Sequence, residues 1–268
     1  MLSNLSVNHY ICGDSISFPN FAREVSKAGI MSVGITRQAI FEMGMVDLRR
    51  CLDDYGLKVS SVNSAGFFIG DYDNGLNFSN EEMIDIAAEL NAEGLCVIVG
   101  GLGQKFSGLD EAHNMVRQGL EKLSEQAAKV GVILGLEPIF PADIFTKGCV
   151  NTLSQALEFI TPHCNLKLII DLYHSWWDPN LKDLFEKNIN KIILMQICNL
   201  RVDNGVVIGR DTILRGELNL PSLVSSLATD GFKGSFELEL FERDLLGRDP
   251  LEIIKRFPID FNAMVVKR

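Results

Sequence analysis

Four oxygen-bearing side chains of this sequence lie at or near the ends of short apolar runs. Glu137 closes "VILGLE", Asp171 closes "LKLIID", Gln196 lies in "ILMQICN" and Glu239 lies in "FELELF". Carboxylates that are brought together repel one another, and a divalent cation removes that repulsion. A ligand set made only of oxygen favours Mg²⁺ or Mn²⁺, with Co²⁺ or Zn²⁺ as alternatives. We therefore predict that these four residues hold one divalent metal ion.

One histidine follows this set closely. His174 comes three residues after Asp171, in "IIDLYHSWWDP", so we expect it to reach a substrate oxygen or a proton. Simpler interpretations of the single residues stay open. Glu137 also fits a loop residue, Asp171 a helix cap and Gln196 a hydrogen-bonded core amide.

The elements that must position these residues alternate along the chain. Apolar runs rich in Val, Ile and Leu, typical of strands buried on both faces, are separated by helical patterns. The runs are residues 4–12, 30–35, 57–64, 94–99, 132–137, 166–171, 191–197 and 234–240. Helices are predicted over residues 110–130, over 151–160 with Asn151 as N-cap, and from Pro19 onwards.

This alternation predicts a parallel α/β fold. No Gly-rich dinucleotide turn follows the first run, which argues against an open doubly wound sheet. We therefore predict a single (β/α)8 TIM barrel domain over residues 1–268. Barrel active sites lie at the carboxyl ends of the strands, so the four polar run ends would meet at one level. Burying them there is costly unless they are paired or bind a metal.

Glu237 is a further charged residue in the last run. It lies two residues before Glu239, so on a regular strand both side chains face the same way. We hypothesise that Glu237 pairs with Lys167 inside the barrel, because a lone buried charge is costly. A bulge that turns Glu237 outward is the alternative.

Composition limits the partners and the compartment. The 268 residues carry a net charge of −10, which argues against nucleic acid as a partner. No apolar run approaches the roughly 18 residues of a membrane helix, and the first residues do not resemble a signal peptide. The six cysteines form no C-x-x-C pair, so we expect free, buried thiols in a reducing cytoplasm.

Several motifs carry a resemblance that covers nearly the whole chain. The segments "GLKVSSVNSAGFF", "LEPIF", "VNTLSQAL", "IIDLYHSWWDP", "MQICN" and "FELELFERDLLGRDP" resemble the sugar phosphate isomerase/epimerase family of xylose-isomerase-like TIM barrels. The resemblance implies a divalent metal held by Glu137, Asp171, the residue at 196 and Glu239. Many members have histidine at that third position. Gln196 resembles the hydroxypyruvate isomerase and inositol-catabolism branches, and a neutral oxygen ligand makes the site less zinc-like.

The implied reaction is isomerisation or epimerisation of a sugar, a sugar phosphate or a keto-polyol. Glu137 or Glu239 would remove a proton next to a metal-bound carbonyl and give an enediolate. Return of the proton to the neighbouring carbon gives isomerisation, and return to the opposite face gives epimerisation. In the family, the histidine that matches His174 contacts the substrate.

Further substrate contacts are predicted in two loops. "IGRDTILRGELNLPSL" resembles the family's loop after the seventh strand, where an arginine reaches the substrate. Arg210 is the first candidate and Arg215 the second, with a solvated loop charge as the alternative. Trp176 and Trp177 are predicted to wall the pocket, with packing under the loop as the alternative.

Other functions remain alternatives. An inosose dehydratase-like lyase would use the same metal and the same proton abstraction. An apurinic-site endonuclease would need a histidine-rich, multi-zinc site, whereas this chain has 4 histidines. A non-catalytic sugar-binding barrel is the third alternative. The identity of the sugar and the oligomeric state, including a homo-oligomer, stay open.

Overall fold

The computed structural model describes residues 4–70, 76, 78–103, 108–229 and 231–266. The strands are β1 Leu5–Asn8, β2 Ser32–Thr36, β3 Lys58–Gly66, β4 Leu95–Ile98, β5 Leu134–Leu136, β6 Leu166–Asp171, β7 Ile192–Ile197, β8 Asn199–Asp203, β9 Val206–Asp211 and β10 Ser235–Leu238. The helices are α1 Phe18–Lys27, α2 Arg37–Tyr55, α3 Asn80–Glu89, α4 Leu109–Lys129, α5 Leu153–Ile160, α6 Leu172–Ser175, α7 Leu181–Asn188, α8 Leu220–Thr229 and α9 Pro250–Val266.

The strands form a closed barrel with the order β1-β10-β7-β6-β5-β4-β3-β2. The predicted (β/α)8 barrel is therefore confirmed, and each predicted apolar run overlaps one of its strands. That residues 1–268 form one domain stays a prediction. Among the described residues, no helix is long and apolar enough to cross a membrane.

The described residues group into two compact units. Unit 1 takes its residues from 1–60 and 195–268, and unit 2 takes its residues from 61–194. In unit 1, β1 pairs in parallel with β2 and with β10, and Ser6 lies beside both Ser32 and Glu237. In unit 2, β4 pairs in parallel with β3 and β5, and β5 pairs with β6. These strands are buried almost throughout, as their apolar composition predicts.

A hairpin that the sequence analysis missed follows β7. Strands β8 and β9 pair antiparallel, with Leu200 beside Arg210. The turn contains Asn204 and Gly205, both with positive φ angles, of 48° and 78°. Asn-Gly between two segments of alternating hydrophobic and polar residues is a strong hairpin signal, so the segment "RVDNGVVIG" indicates this hairpin.

The cap of α5 differs from the prediction. Thr152, not Asn151, is the N-cap: its hydroxyl accepts from the backbone N–H of Gln155, whose side chain accepts from the N–H of Thr152. This reciprocal capping box satisfies two N–H groups that would otherwise lack partners. The side chain of Asn151 instead donates to the carbonyls of Ile139 and Gly148, each at 2.9 Å.

His9, directly after β1, is a buried core histidine. Its Nδ1 lies 3.0 Å from the hydroxyl of Thr36, and its ring packs edge-on against Phe18 and Phe21. Within the described part of the chain, its Nε2 is buried and has no hydrogen-bond partner. Burial lowers the pKa of His9 from 6.5 to about 4, because a charged imidazole would lose its hydration there.

This burial makes the stability depend on pH. As the pH falls below 6.5, the unfolded chain binds a proton at His9 before the folded chain does, so stability is full above that value and decreases toward about pH 4. The glutamine of a His9→Gln variant does not titrate. Between pH 7 and pH 4, the free energy of unfolding of the wild type should fall by roughly 3 kcal/mol more than that of the variant, at about 1.4 kcal/mol per pH unit. Urea unfolding of both proteins across this range measures the difference, and parallel curves would contradict it.

Candidate functional site

Three of the predicted site residues lie together in unit 2. Glu137 follows β5 directly, Asp171 is the last residue of β6, and His174 lies in α6. All three are buried, and one ligand atom of each lies within 4.8 Å of those of the other two. The Nε2 atom of His174 is 3.8 Å from Oε1 of Glu137 and 3.7 Å from Oδ2 of Asp171.

Asp171 is a helix cap as well as a member of this group. Its Oδ1 accepts from the backbone N–H of Tyr173 at 2.8 Å, so Asp171 is the N-cap of α6. A carboxylate has two oxygens, and capping occupies only one of them. Because α6 starts at this cap, His174 lies one turn along the helix, with its ring beside Oδ2. The segment after β6 is thus a short helix rather than only a loop.

The hydrogen bonds of His174 define its tautomer. The backbone N–H of Phe140 donates to Nδ1 at 3.1 Å, so Nδ1 is an acceptor and carries no proton. The proton of the neutral ring is therefore on Nε2, which lies 3.7 Å from Asp171 and 3.8 Å from Glu137, too far for a hydrogen bond to either carboxylate. A nitrogen that keeps its proton has no lone pair for a cation. The geometry therefore makes Glu137 and Asp171 the candidate ligands of the group and leaves the Nε2 proton of His174 for another acceptor.

Cys96 is a member of this group that the sequence analysis missed. Its thiol, in β4, donates to Oε2 of Glu137 at 3.1 Å. In the pairing of β4 with β5, Cys96 lies beside Gly135, and Glu137 comes two residues later, just past the end of β5. The sequence showed only a buried cysteine in an apolar run, and the strand register is what brings the thiol to the carboxylate.

A second group lies in unit 1, around Gln196 of β7. The Nε2 of Gln196 donates to Oε1 of Glu239 at 2.8 Å and to Oε1 of Glu237 at 3.2 Å. Nη2 of Arg210 lies 3.1 Å from Oε2 of Glu239. Among the described residues, Oε1 of Gln196 is buried and has no hydrogen-bond partner. The interpretation as a satisfied core amide therefore holds for its nitrogen but not for its oxygen.

Arg210 lies in the hairpin and is buried, with 4% of its surface exposed. Its guanidinium lies over the ring of Phe241 at 5.3 Å, and its backbone N–H donates to Asp244. The interpretation as a solvated loop charge is therefore wrong for Arg210. It fits Arg215, whose side chain is 70% exposed and lies 4.0 Å from Asp211.

The two tryptophans after α6 have different environments. Trp176 is 37% exposed. Trp177 donates from its indole to the carbonyl of His174 at 2.8 Å, and its ring packs edge-on against Phe140. Trp177 is half-buried and contacts the backbone at His174, and the prediction that the two tryptophans wall the pocket stays a prediction.

The hypothesis that Lys167 and Glu237 pair inside the barrel is wrong, because the Lys167 side chain bonds elsewhere. Nζ of Lys167 donates to the carbonyl of Asn190 at 3.4 Å in an exposed hydrogen bond. Glu237 is fully buried, so the alternative of an outward bulge is also wrong. The carboxylate accepts hydrogen bonds from neutral side chains, which include Ser60 and Asn8.

The two arginines should differ in their contribution to stability. Arg210→Met removes the guanidinium from buried Glu239 and should lower the free energy of unfolding by roughly 3–5 kcal/mol. Arg215→Met removes an exposed charge and should change it by less than about 0.5 kcal/mol. Urea unfolding of the two variants measures both effects. Equal losses of unfolding free energy in the two variants would mean that the buried ion pair contributes no more to stability than the exposed arginine does.

Comparison with known proteins places the chain among relatives. The family model described as the xylose isomerase-like TIM barrel matches residues 22–257. Inosose isomerase from Halalkalibacterium halodurans is 29% identical over 142 residues, which are 51% of this chain and 49% of that protein. The match thus spans about half the length of that curated relative.

Two solved structures resemble the whole chain. Protein SMc04130 from Sinorhizobium meliloti 1021 has a TM-score of 0.88 and 28% identity, with 98% of this chain and 99% of that chain covered. The IOLI protein, in a structure with a binding zinc atom, has a TM-score of 0.81 and 18% identity, with 98% of each chain covered. At that identity, the second likeness shows the fold alone. On the match of the family model over most of its length, the chain belongs to the xylose isomerase-like TIM barrel family.

Proposed function

We propose that this protein is a divalent-metal-dependent isomerase or epimerase of a sugar, a sugar phosphate or a keto-polyol. The observation that carries the proposal is the group of two buried carboxylates, Glu137 and Asp171, beside an imidazole whose proton is on Nε2. The similarity to an inosose isomerase supports the same class of substrate. None of the six cysteines is in a disulfide, which supports a reducing cytoplasm, although Cys164 is exposed and not buried as predicted.

The proposed ligands are Glu137, Asp171, Gln196 and Glu239. The buried oxygen of Gln196 fits this role, because a buried acceptor left without a partner costs about 1–3 kcal/mol. A neutral amide oxygen among carboxylates fits Mg²⁺ or Mn²⁺ better than Zn²⁺, although the IOLI protein has a zinc atom. When bound, such an ion polarises a substrate carbonyl and so acidifies the neighbouring C–H bond.

The residues of the chain handle the proton. Glu137 acts as a base toward the carbon next to the carbonyl, and the Cys96 thiol on its other oxygen holds the carboxylate in place. His174 donates its Nε2 proton in a hydrogen bond to a substrate oxygen and stabilises the negative charge that develops there. Glu239, held by Arg210 and Gln196, is the second acid/base candidate, as epimerisation through opposite faces requires.

Proton exchange tests the catalytic part of this proposal. The metal-loaded protein, incubated with ketoses, ketose phosphates and inososes in deuterated water, should place deuterium next to the carbonyl of at least one of them. Glu137→Gln removes the base and should slow exchange by roughly 10²- to 10⁴-fold, whereas Glu121→Gln makes the same change at an exposed position and should leave the rate unaltered. NMR of the products measures exchange and separates isomer, epimer and dehydrated ketone. If no compound exchanges, the protein is not an enzyme of this class.

Metal analysis tests the other part. We expect one divalent ion per chain, loss of exchange on chelation, and recovery with Mn²⁺ or Mg²⁺. Three zinc ions per chain would instead favour the nuclease alternative. Full exchange activity in the chelated protein would contradict the metal dependence.

A further inference from the structure

We infer that Glu237 is a positioning residue, which fixes the side-chain amide of Gln196 so that its oxygen faces the bound cation. This inference rests on the proposed function and adds a residue to it. Glu237 makes no proposed contact with metal or substrate. It acts through Gln196, to which it is hydrogen bonded at 3.2 Å.

Glu237 is anchored from the side of β1 and β3. Its Oε2 accepts from the hydroxyls of Ser60 at 2.7 Å and Ser6 at 3.2 Å, and its Oε1 accepts from Nδ2 of Asn8 at 2.9 Å. The orientation of Asn8 is itself fixed, because its Oδ1 accepts from the backbone N–H of Tyr10. The carboxylate of Glu237 therefore keeps its position whether or not a cation is bound.

The amide of Gln196 has two N–H groups, and two carboxylates face them. Its Nε2 donates to Oε1 of Glu239 at 2.8 Å and to Oε1 of Glu237 at 3.2 Å. A carboxylate only accepts, so both contacts require the nitrogen of the amide on this side. A flipped amide would lose two charge-assisted hydrogen bonds and bring its oxygen against two carboxylate oxygens. The carbonyl oxygen is therefore held on the other side, where it is buried without a hydrogen-bond partner among the described residues.

A glutamine ligand needs a hydrogen bond that fixes its orientation more than a histidine ligand would. The two ends of an amide have nearly the same shape, so packing alone does not decide which end faces a cation. Glu239 also orients Gln196, but it is a proposed ligand, and a bound cation would compete for its oxygens. Glu237 is the acceptor that stays with Gln196 in both states. Outer partners of this kind typically change metal affinity by roughly 10- to 100-fold.

Titration of the metal-free protein with Mn²⁺ by calorimetry tests this inference. Glu237→Gln replaces an acceptor oxygen by an N–H₂ group and permits the flipped amide, so it should weaken Mn²⁺ binding by roughly 10- to 100-fold. Ser60→Ala is the matched control. It removes a 2.7 Å hydrogen bond to the same carboxylate and leaves the contact with Gln196, so it should lower Tm and change Mn²⁺ affinity by less than about threefold.

A double-mutant cycle locates the effect. In a Gln196→Leu background there is no amide to orient, so adding Glu237→Gln should not weaken Mn²⁺ binding further. If Glu237→Gln does not fold, Glu237→Asp replaces it, because it keeps the charge but withdraws the carboxylate by one methylene from Gln196. The Mn²⁺ affinity of Glu237→Asp should also be lower than that of the wild type.

The outcomes separate this inference from the proposed function. A wild type that does not bind Mn²⁺ overturns the metal-dependent function itself. If the wild type binds Mn²⁺ and the Glu237 variants bind it with the same affinity as the wild type, only the positioning role is overturned. Equal weakening by Glu237→Gln and Ser60→Ala would also overturn it, because the effect would then follow the stability of the network rather than the orientation of the amide.

Discussion

Burying carboxylates while keeping them supplied with hydrogen-bond donors is the constraint on which this structure depends. Glu137, Asp171, Glu237 and Glu239 are each at most 5% exposed. Removing a carboxylate from water costs several kcal/mol unless donors replace the lost hydration. Here the donors are a thiol, a backbone N–H at a helix start, hydroxyls, amides and a guanidinium. The donors named here differ from one carboxylate to the next, and this difference separates their proposed roles.

The two irregular elements next to the barrel strands supply much of what this constraint requires. The short helix α6 begins at Asp171, which gives that carboxylate a backbone donor and places His174 one turn away. The hairpin β8–β9 carries Arg210 back to Glu239 and packs its guanidinium on Phe241. Both elements are small, yet each supplies a hydrogen-bond donor that stabilises a buried carboxylate and fixes its orientation.

The same donors assign chemical roles to groups that look alike in the sequence. A backbone N–H on Nδ1 of His174 makes its Nε2 a donor, which fits a contact to a substrate oxygen and not to a cation. Two carboxylates on the nitrogen of Gln196 leave its oxygen as the acceptor. Membership of the xylose isomerase-like family gives the fold, while these hydrogen bonds decide what each atom can do.

Much of this protein can be read from its sequence. Strands buried on both faces appear as uninterrupted apolar runs, so a polar residue at the end of a run is visible. The barrel and the positions of Glu137, Asp171, Gln196 and Glu239 at its strand ends followed from this pattern, and the motifs predicted the family. The hairpin was also signalled, by Asn-Gly, although it was missed.

The partners of the buried groups were decided only by the tertiary structure. Ser60 and Glu237 are 177 positions apart in the chain, and Cys96 and Glu137 are 41 apart. Whether such pairs meet depends on strand register and on distances that must agree within a few tenths of an ångström, and no periodicity encodes these. For this reason the spacing in the sequence led us to pair Lys167 with Glu237. In the folded chain, the donors to the Glu237 carboxylate are instead hydroxyl and amide groups. The sequence by itself determined which residues end the strands, and the fold decided which atoms they present.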